Sequence, residues 1–207
     1  VVRDGCKYSV NTFTFRNRDP HIWQPDNAGG LSVCRAELKK NGEVIDTDEV
    51  KFGFREIKFH PNEGFFINGE QVFLRGKHDG MVFPLTGAAP TTVEEWYNVM
   101  RTAKDWGINH YRFHTCCPPD AAFTAADMLG IYMQPELPFW GTVHGVDDEE
   151  FNGNEQGFLI REGHRILREF GDHPSFVMMS LGNELWGSTD RLNDIIAELK
   201  LDDSRPL

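Results

Sequence analysis

The stretch MMSLGNELWG, residues 178–187, decides the fold class of this chain. An apolar run of the kind found in strands buried on both faces stops at Gly182, and Asn183, Glu184 and Trp186 follow almost at once. Polar side chains directly after a buried strand are typical of α/β proteins, in which ligands bind at the carboxyl ends of parallel strands. We therefore expect other strands of this chain to end in polar side chains at the same edge.

Strand and helix patterns alternate from residue 72 onward. The helical stretches have apolar residues at helical spacing, and glycines end three of them. The predicted order is a strand at 72–75, a helix from a capping box of Thr91 and Glu94 to Gly107, a strand at 108–113, a helix at 120–129, a strand at 131–137, a helix at 157–170, a strand at 175–181 and a helix at 190–200. Such repeats predict a parallel sheet, either doubly wound or closed as a (β/α)8 barrel. A barrel needs about 250 residues and roughly 150 follow Arg55, which leaves an open sheet or half a barrel.

The first fifty-odd residues have a different pattern. Alternating stretches at 7–15, 31–40 and 43–52 are separated by turn signals, which predicts antiparallel strands of part of a β-sandwich. A further hairpin is predicted around Asn68-Gly69.

The composition excludes several classes of partner. The chain has 32 acidic and 21 basic residues and a net charge of -11, and its basic residues are scattered. Neither a nucleic-acid surface nor a basic membrane face is expected, and no apolar run reaches the roughly 18 residues of a membrane span. Aromatic residues make up 12% of the chain, and they either fill a Phe-rich core or offer ring faces to sugars and bases.

Polar and aromatic side chains collect at the four predicted strand ends. The first strand leads to Lys77, His78 and Asp79, the second to Arg112 and His114, the third to Glu136 and Trp140, and the fourth to Asn183, Glu184 and Trp186. Each has a structural alternative: a charged residue could form an ion pair within the sheet, a Trp could belong to the core, and Glu184 could sit at a helix N-terminus. Together they match the needs of a sugar pocket, with rings for apolar faces, polar groups for hydroxyls and acids for glycosidic cleavage.

A metal site is the main competing interpretation. His110, Arg112 and His114 share one strand face, and with His78 they could form a metal-dependent hydrolase. No third ligand has convincing spacing, so no metal is predicted.

His164 and His173 are expected to be solvated residues of a helix and a turn. The four cysteines have no CxxC spacing and are expected to be buried thiols, and no base is specified that would make Cys116 a nucleophile. The cysteines are Cys6, Cys34, Cys116 and Cys117.

Five stretches together resemble glycoside hydrolase family 2, the group of β-galactosidases, β-glucuronidases and β-mannosidases. They are FGFREIKF (52–59), FFINGEQVFLRGKHDG (65–80), GINHYRFHTCCPP (107–119), LGIYMQPELPFWG (129–141) and HPSFVMMSLGNELWG (173–187). The resemblance implies a mixed fold. Residues 1–54 would be the C-terminal strands of an immunoglobulin-like β-sandwich, and residues 55–207 the N-terminal half of a (β/α)8 TIM barrel.

The resemblance also implies a function, that of a retaining exo-glycoside hydrolase of β-galactosidase-like type. Glu184 would be the general acid/base and Asn183 would bind the 2-hydroxyl of the sugar. The other implied substrate-binding residues are His78, Asp79, Arg112, His114, Glu136, Trp140 and Trp186. The nucleophile would come from a later barrel strand outside this chain, so the chain alone is expected to be inactive. β-Glucuronidase, β-mannosidase and a non-catalytic carbohydrate-binding or structural domain remain alternatives.

Two departures from the family pattern bear on ligands. In RFHTCCPP, His114 lies one residue closer to Arg112 than is usual. The positions of further metal ligands in metal-dependent β-galactosidases are taken by Trp140 and Thr142, so no magnesium and no other cofactor is implied. The implied partner is an oligosaccharide or glycoside, with no nucleic acid or membrane, and a homo-oligomer is possible. Family members that handle polysaccharide debris are commonly exported, which favours a periplasmic or extracellular location.

Overall fold

The first described strands form an antiparallel hairpin. The structure, a computed structural model, describes residues 12–25, 30–201, 203, 205 and 206. Strands β1 (Ser32–Lys40) and β2 (Glu43–Phe52) pair with Ser32 opposite Phe52. Their turn, Asn41-Gly42, has positive φ at both residues, as the tight turns favoured by strand twist require. Two of the three predicted N-terminal strands are confirmed. Of the third, residues 7–11 lie outside the described part and residues 12–15 form no strand.

A three-stranded antiparallel sheet follows. It contains β3 (Ile57–His60), β4 (Gly64–Ile67) and β5 (Glu70–Val72), and the predicted Asn68-Gly69 turn joins the last two.

The predicted strand at 72–75 is wrong. Phe73 is 78% exposed, and the next strand begins only at Gly76. The reason is a side chain from the following unit: Asn109 Nδ2 donates to the Phe73 carbonyl at 3.0 Å, and its Oδ1 accepts from the Arg75 N–H at 2.7 Å. These bonds satisfy the backbone that a sheet ladder would otherwise pair.

The rest of the chain alternates strands and helices, as predicted. The elements are β6 (Gly76–Asp79), α1 (Val93–Asp105), β7 (His110–Phe113), α2 (Asp120–Leu129), β8 (Tyr132–Gln134), β9 (Trp140–Val143), α3 (Gly153–Phe170), β10 (Asn183–Gly187) and α4 (Thr189–Leu199). Strands β6, β7 and β8 form a parallel sheet in that order. Residues 176–180 extend it beside β8 through two isolated parallel bridges, so the predicted strand at 175–181 is only partly formed. Strands β9 and β10 form a separate parallel pair, and β9 lies in the region predicted to be a long loop.

The helices differ from prediction mainly at their starts. The N-cap of α1 is Thr92, whose Oγ1 accepts from the Glu95 N–H, so the capping box lies one residue later than predicted. Helix α3 begins at Gly153, because Asn152 caps it by accepting from the Glu155 N–H at 3.2 Å. Helix α2 has the predicted bounds, and α4 agrees within one residue.

Side chains that alternate along the strands point to opposite faces of the parallel sheet and pack into two separate cores. Met133 and Phe176 belong to the larger core, between the parallel sheet and its helices. Tyr132 and Val177 point the other way and pack with Trp23 in a smaller core under the three-stranded sheet. The β8 region therefore joins the antiparallel and the parallel parts of the described chain.

The cysteines differ from the expectation of buried thiols. Cys34 is exposed on β1, while Cys116 and Cys117 are half-buried after β7, and all three are free. Burial, with smaller contributions from Asp79 and Glu136, raises the pKa of Cys116 to about 11. Cys6 lies outside the described residues. Over the described part of the chain, no helix is both long and apolar enough to cross a membrane.

His173 is buried, so its prediction as a solvated turn residue is wrong. Its Nδ1 lies 2.6 Å from Asp127 Oδ2, and its Nε2 lies 3.1 Å from Asp120 Oδ1. Asp127 also accepts from the Ser175 N–H at 3.0 Å, so the cluster ties α2 to the segment at 176–180. Burial by itself lowers the pKa of His173, but the hydrogen bonds and charges of the two aspartates outweigh it, and the pKa is raised.

This cluster predicts a pH-dependent stability. Because the pKa of His173 is higher in the folded chain, its stabilisation is complete below the unfolded pKa of about 6.5. It is lost as the pH rises through the folded value. We expect the free energy of unfolding to fall over this range in the wild type and to stay flatter in His173→Gln. Urea unfolding at a series of pH values measures this. His21→Gln, at an exposed histidine, is the control, and a His173→Gln profile parallel to the wild type would contradict the assignment.

Candidate active site

The predicted site residues collect at one edge of the parallel sheet. That edge is formed by the carboxyl ends of the strands and of the segment at 176–180. His78 and Asp79 end β6, Arg112 and His114 lie at the end of β7, Glu136 follows β8, and Asn183 and Glu184 follow the segment at 176–180. Trp140 and Trp186 lie on the neighbouring pair β9 and β10.

Arg112 is the centre of this edge. Its Nε donates to Glu136 Oε1 at 2.6 Å, and its Nη2 donates to Asn183 Oδ1 at 2.8 Å. Glu136 is fully buried, and its second oxygen accepts from the Thr115 N–H at 2.9 Å. Both oxygens of Glu136 are therefore bonded within the protein, and the guanidinium is held in one orientation.

The orientation of the Asn183 amide follows from this contact. A guanidinium can only donate, so the amide atom that faces Arg112 is the oxygen. The NH₂ group of Asn183 is then left as a donor for another partner. The Asn183 backbone N–H donates to the Phe139 carbonyl at 3.0 Å, which ties this residue to the loop after β8.

Glu184 projects into solvent from a sharply bent backbone. Gly182 has a φ of 140°, and a Cβ there would lie 2.2 Å from the Phe139 oxygen, so only glycine fits. Glu184 itself has a φ of 47°, in the left-handed region that costs a non-glycine residue about 1–3 kcal/mol. The Glu184 side chain is exposed. The N-cap of α4 is Ser188, so the alternative of Glu184 at a helix N-terminus is wrong.

An exposed indole contacts the Glu184 carboxylate. Trp140 Nε1 donates to Glu184 Oε2 at 2.8 Å. The rings of Trp140 and Trp186 lie perpendicular to each other with centroids 5.8 Å apart. Trp140 is 60% exposed and Trp186 49%, so the alternative that these residues belong to the core is wrong.

The carboxyl end of β6 contributes the His78 imidazole and the Asp79 carboxylate, both oxygens of which are hydrogen-bonded within the protein. The rings of His78 and His114 meet edge to face at 4.8 Å, and His114 Nδ1 lies 3.2 Å from Thr115 Oγ1. Asp79 is buried, and its two oxygens accept from Lys77 Nζ at 2.6 Å and from the Met81 N–H at 2.7 Å. The two imidazoles therefore remain at the rim, whereas Asp79 is used within the protein.

The structure also brings in a residue that sequence reasoning missed. Thr115 has a φ of 52°, and it supplies both the amide bonded to Glu136 and the hydroxyl beside His114. No spacing or residue type marks this role in RFHTCCPP, because it depends on a left-handed backbone.

Of the three histidines of the alternative metal site, His78 and His114 lie together, whereas His110 lies at the other end of the strands. His110 is buried, and a Cβ at Gly76 would lie 2.8 Å from its Nδ1, so its ring packs against the start of β6. Burial, with a smaller contribution from Arg112, lowers the pKa of His110 to about 4. Within the described ranges, no group of three or more His, Cys, Asp or Glu side chains is placed to hold a metal ion.

Comparisons with known proteins find relatives in sequence and in fold. No family model matches the chain. A Formosa agariphila protein named "Putative beta-glucuronidase" is 30% identical over 221 residues, covering 99% of this chain and 26% of that protein. A β-galactosidase of Thermoanaerobacter pseudethanolicus is 27% identical over 192 residues, covering 91% of this chain and 24% of the relative. The crystal structure of a glycosyl hydrolase family 2 member from Bacteroides cellulosilyticus superposes with a TM-score of 0.74 at 24% identity, over 90% of this chain and 24% of that one.

Over almost its whole length, the chain is similar in sequence to β-glucuronidases and β-galactosidases and in fold to a solved glycoside hydrolase family 2 member, which confirms the predicted resemblance to that family. It spans about a quarter of the length of the curated relatives described above.

The Arg112 contacts predict a cost for a conservative change. In Arg112→Lys a single ammonium cannot bond both Glu136 and Asn183, and the buried carboxylate loses an optimal partner. We expect a loss of about 2 kcal/mol in the free energy of unfolding, measured by urea titration. The control is Arg101→Lys, at an exposed ion pair with Asp105, where we expect a change within about 0.5 kcal/mol. Equal, small losses for both variants would contradict the role given to Arg112.

Proposed function

We propose that the protein containing this chain is a retaining exo-β-glycosidase in which Glu184 is the general acid/base. The observation that carries this proposal is the Asn183-Glu184 pair at the carboxyl edge of the sheet, with Asn183 bonded to Arg112 and Glu184 exposed. This is the edge at which ligands bind in α/β proteins of both architectures considered above.

The contacts of Glu184 suit both halves of a retaining mechanism. Oε2 accepts from Trp140, and Oε1 is the oxygen available to carry the proton. In the first step that proton passes to the glycosidic oxygen as the bond to the sugar breaks, and the leaving group departs as an alcohol. In the second step the carboxylate takes a proton from the water that attacks the glycosyl-enzyme.

The neighbouring groups suit a sugar. The NH₂ of Asn183, which faces away from Arg112, is a donor for the 2-hydroxyl, an interaction that strengthens in the oxocarbenium-like transition state. The His78 and His114 imidazoles can each donate or accept at a hydroxyl, and the exposed ring of Trp186 offers a face for stacking.

The nucleophile is assigned to a part of the protein outside this chain. A retaining enzyme needs a second carboxylate about 5–5.5 Å from the first. Glu136 is fully buried with both oxygens bonded, and Asp79 is buried with both oxygens bonded. Neither is free to attack a sugar. We therefore assign no nucleophile to this chain and expect the 207-residue chain alone to be inactive.

We also propose the domain division that the family resemblance implies. Residues 1–54 would belong to an immunoglobulin-like sandwich, and the antiparallel hairpin β1–β2 supports this. Residues 55–207 would be the first half of a (β/α)8 barrel. The parallel strands lie side by side in chain order with no reversal, which suits a barrel better than a doubly wound sheet. The Met179 N–H also donates to the Pro206 carbonyl at 3.1 Å, as a fifth neighbouring strand would require.

A β-galactoside is the substrate we favour, and a β-glucuronide is the second candidate. Relatives bear both names, which makes the choice a matter for measurement. Comparing kcat/KM for 4-nitrophenyl β-D-galactoside and β-D-glucuronide with the full-length protein decides between them. Binding of either sugar without turnover would support the non-catalytic alternative.

The acid role predicts a dependence on the leaving group. In full-length Glu184→Gln we expect kcat/KM to fall by about 10²–10⁴ for a sugar or alkyl leaving group, because these need protonation. For a 2,4-dinitrophenyl leaving group the loss is expected to be much smaller. The control is Glu169→Gln, at an exposed residue of α3. Equal losses with both classes of substrate would argue against an acid role for Glu184.

A further inference from the structure

We propose that Trp140 is a positioning residue for Glu184, whose indole N–H holds the carboxylate so that Oε1 alone delivers the proton. This inference rests on the proposed function of Glu184. It assigns to Trp140 a role in the proton transfer, beyond a contact with substrate.

The contact that carries the inference is directional. The indole Nε1–H is a donor only, and it lies 2.8 Å from Glu184 Oε2. A proton on Oε2 would face this N–H, placing two donors against each other. The proton of the acid form is therefore placed on Oε1, which has no such donor in the contacts of the described chain.

The backbone keeps the indole and the carboxylate together. Trp140 opens β9 and pairs in parallel with Asn183, the residue before Glu184. The Asn183 N–H donates to the Phe139 carbonyl, the residue before Trp140. The two side chains therefore project from adjacent, hydrogen-bonded segments, and a shift of one segment carries the other with it.

The Glu184 side chain needs such support because of its exposure. An exposed glutamate samples several rotamers, and an acid must hold its proton within hydrogen-bond reach of the glycosidic oxygen. The Trp186 ring meets Trp140 at an interplanar angle of 88°, which limits rotation of the Trp140 indole. The exposed acid is thus restrained by one hydrogen bond, and the donor of that bond is restrained by a second ring.

The test is Trp140→Phe in the full-length protein, which keeps an aromatic ring and removes the N–H. We expect kcat/KM to fall by about tenfold to a hundredfold for an alkyl or sugar leaving group. For the 2,4-dinitrophenyl glycoside we expect a fall of no more than about threefold, because its departure needs little protonation. A merely structural role would lower both rates by the same factor. The control is Trp106→Phe, at an indole that is 86% exposed after α1, where neither rate should change.

A double variant separates this inference from the proposed function. If Trp140 acts through Glu184, Trp140→Phe should cause little further loss with the poor leaving group once Glu184→Gln is present. Additive losses, or equal losses with both substrates in the single variant, would overturn the positioning role and leave the acid role of Glu184 standing. If Glu184→Gln itself shows no leaving-group dependence, the proposed function fails, and this inference fails with it.

Discussion

The ion pair of Arg112 with the buried carboxylate of Glu136 is the constraint on which the candidate site depends. A carboxylate without solvent contact is costly unless both oxygens are bonded, and here Arg112 and the Thr115 amide satisfy them. The bond to Glu136 fixes the orientation of the guanidinium, and its Nη2 then donates to Asn183 Oδ1. The buried pair thus sets the orientation of an amide at the rim, and the residue after that amide is Glu184. The buried carboxylate of Glu136, after β8, thus positions Arg112 at the end of β7 and, through it, Asn183.

Two positive-φ backbone positions, Gly182 and Glu184, place the Glu184 side chain in solvent. Gly182 approaches the Phe139 carbonyl so closely that a side chain is excluded, and Glu184 then adopts a left-handed conformation. Strain of this kind persists only where surrounding contacts hold it, and here the contacts come from Arg112 and Trp140. The bend lets consecutive residues serve different purposes: Asn183 stays bonded to the interior, while Glu184 faces solvent.

Sequence patterns predicted which helices and strands form better than they predicted the bounds of these elements and the contacts of their side chains. Helical periodicity and terminal glycine gave α2 its bounds, and the Asn68-Gly69 dipeptide located a hairpin, because these signals are local. The predictions of a strand at 72–75 and of a solvated His173 were wrong because the side chains that decide them, Asn109 and Asp127, are distant in sequence. The rule that ligand groups lie at strand ends predicted that the candidate residues share one edge of the sheet, and they do. It could not show that Glu136 and Asp79 are already bonded within the protein, since those contacts depend on side-chain geometry.

The role of Glu184 is tested most directly by the product that azide forms with a full-length Glu184→Ala variant. Without the acid/base, an activated dinitrophenyl glycoside should still form a glycosyl-enzyme that water attacks slowly, because no base remains. Azide needs no base, and it should restore turnover by attacking from the face that the leaving group vacated. If Glu184 is the acid/base, the product is a β-glycosyl azide. An α-glycosyl azide would make Glu184 the nucleophile, and no acceleration by azide would contradict its role as the acid/base.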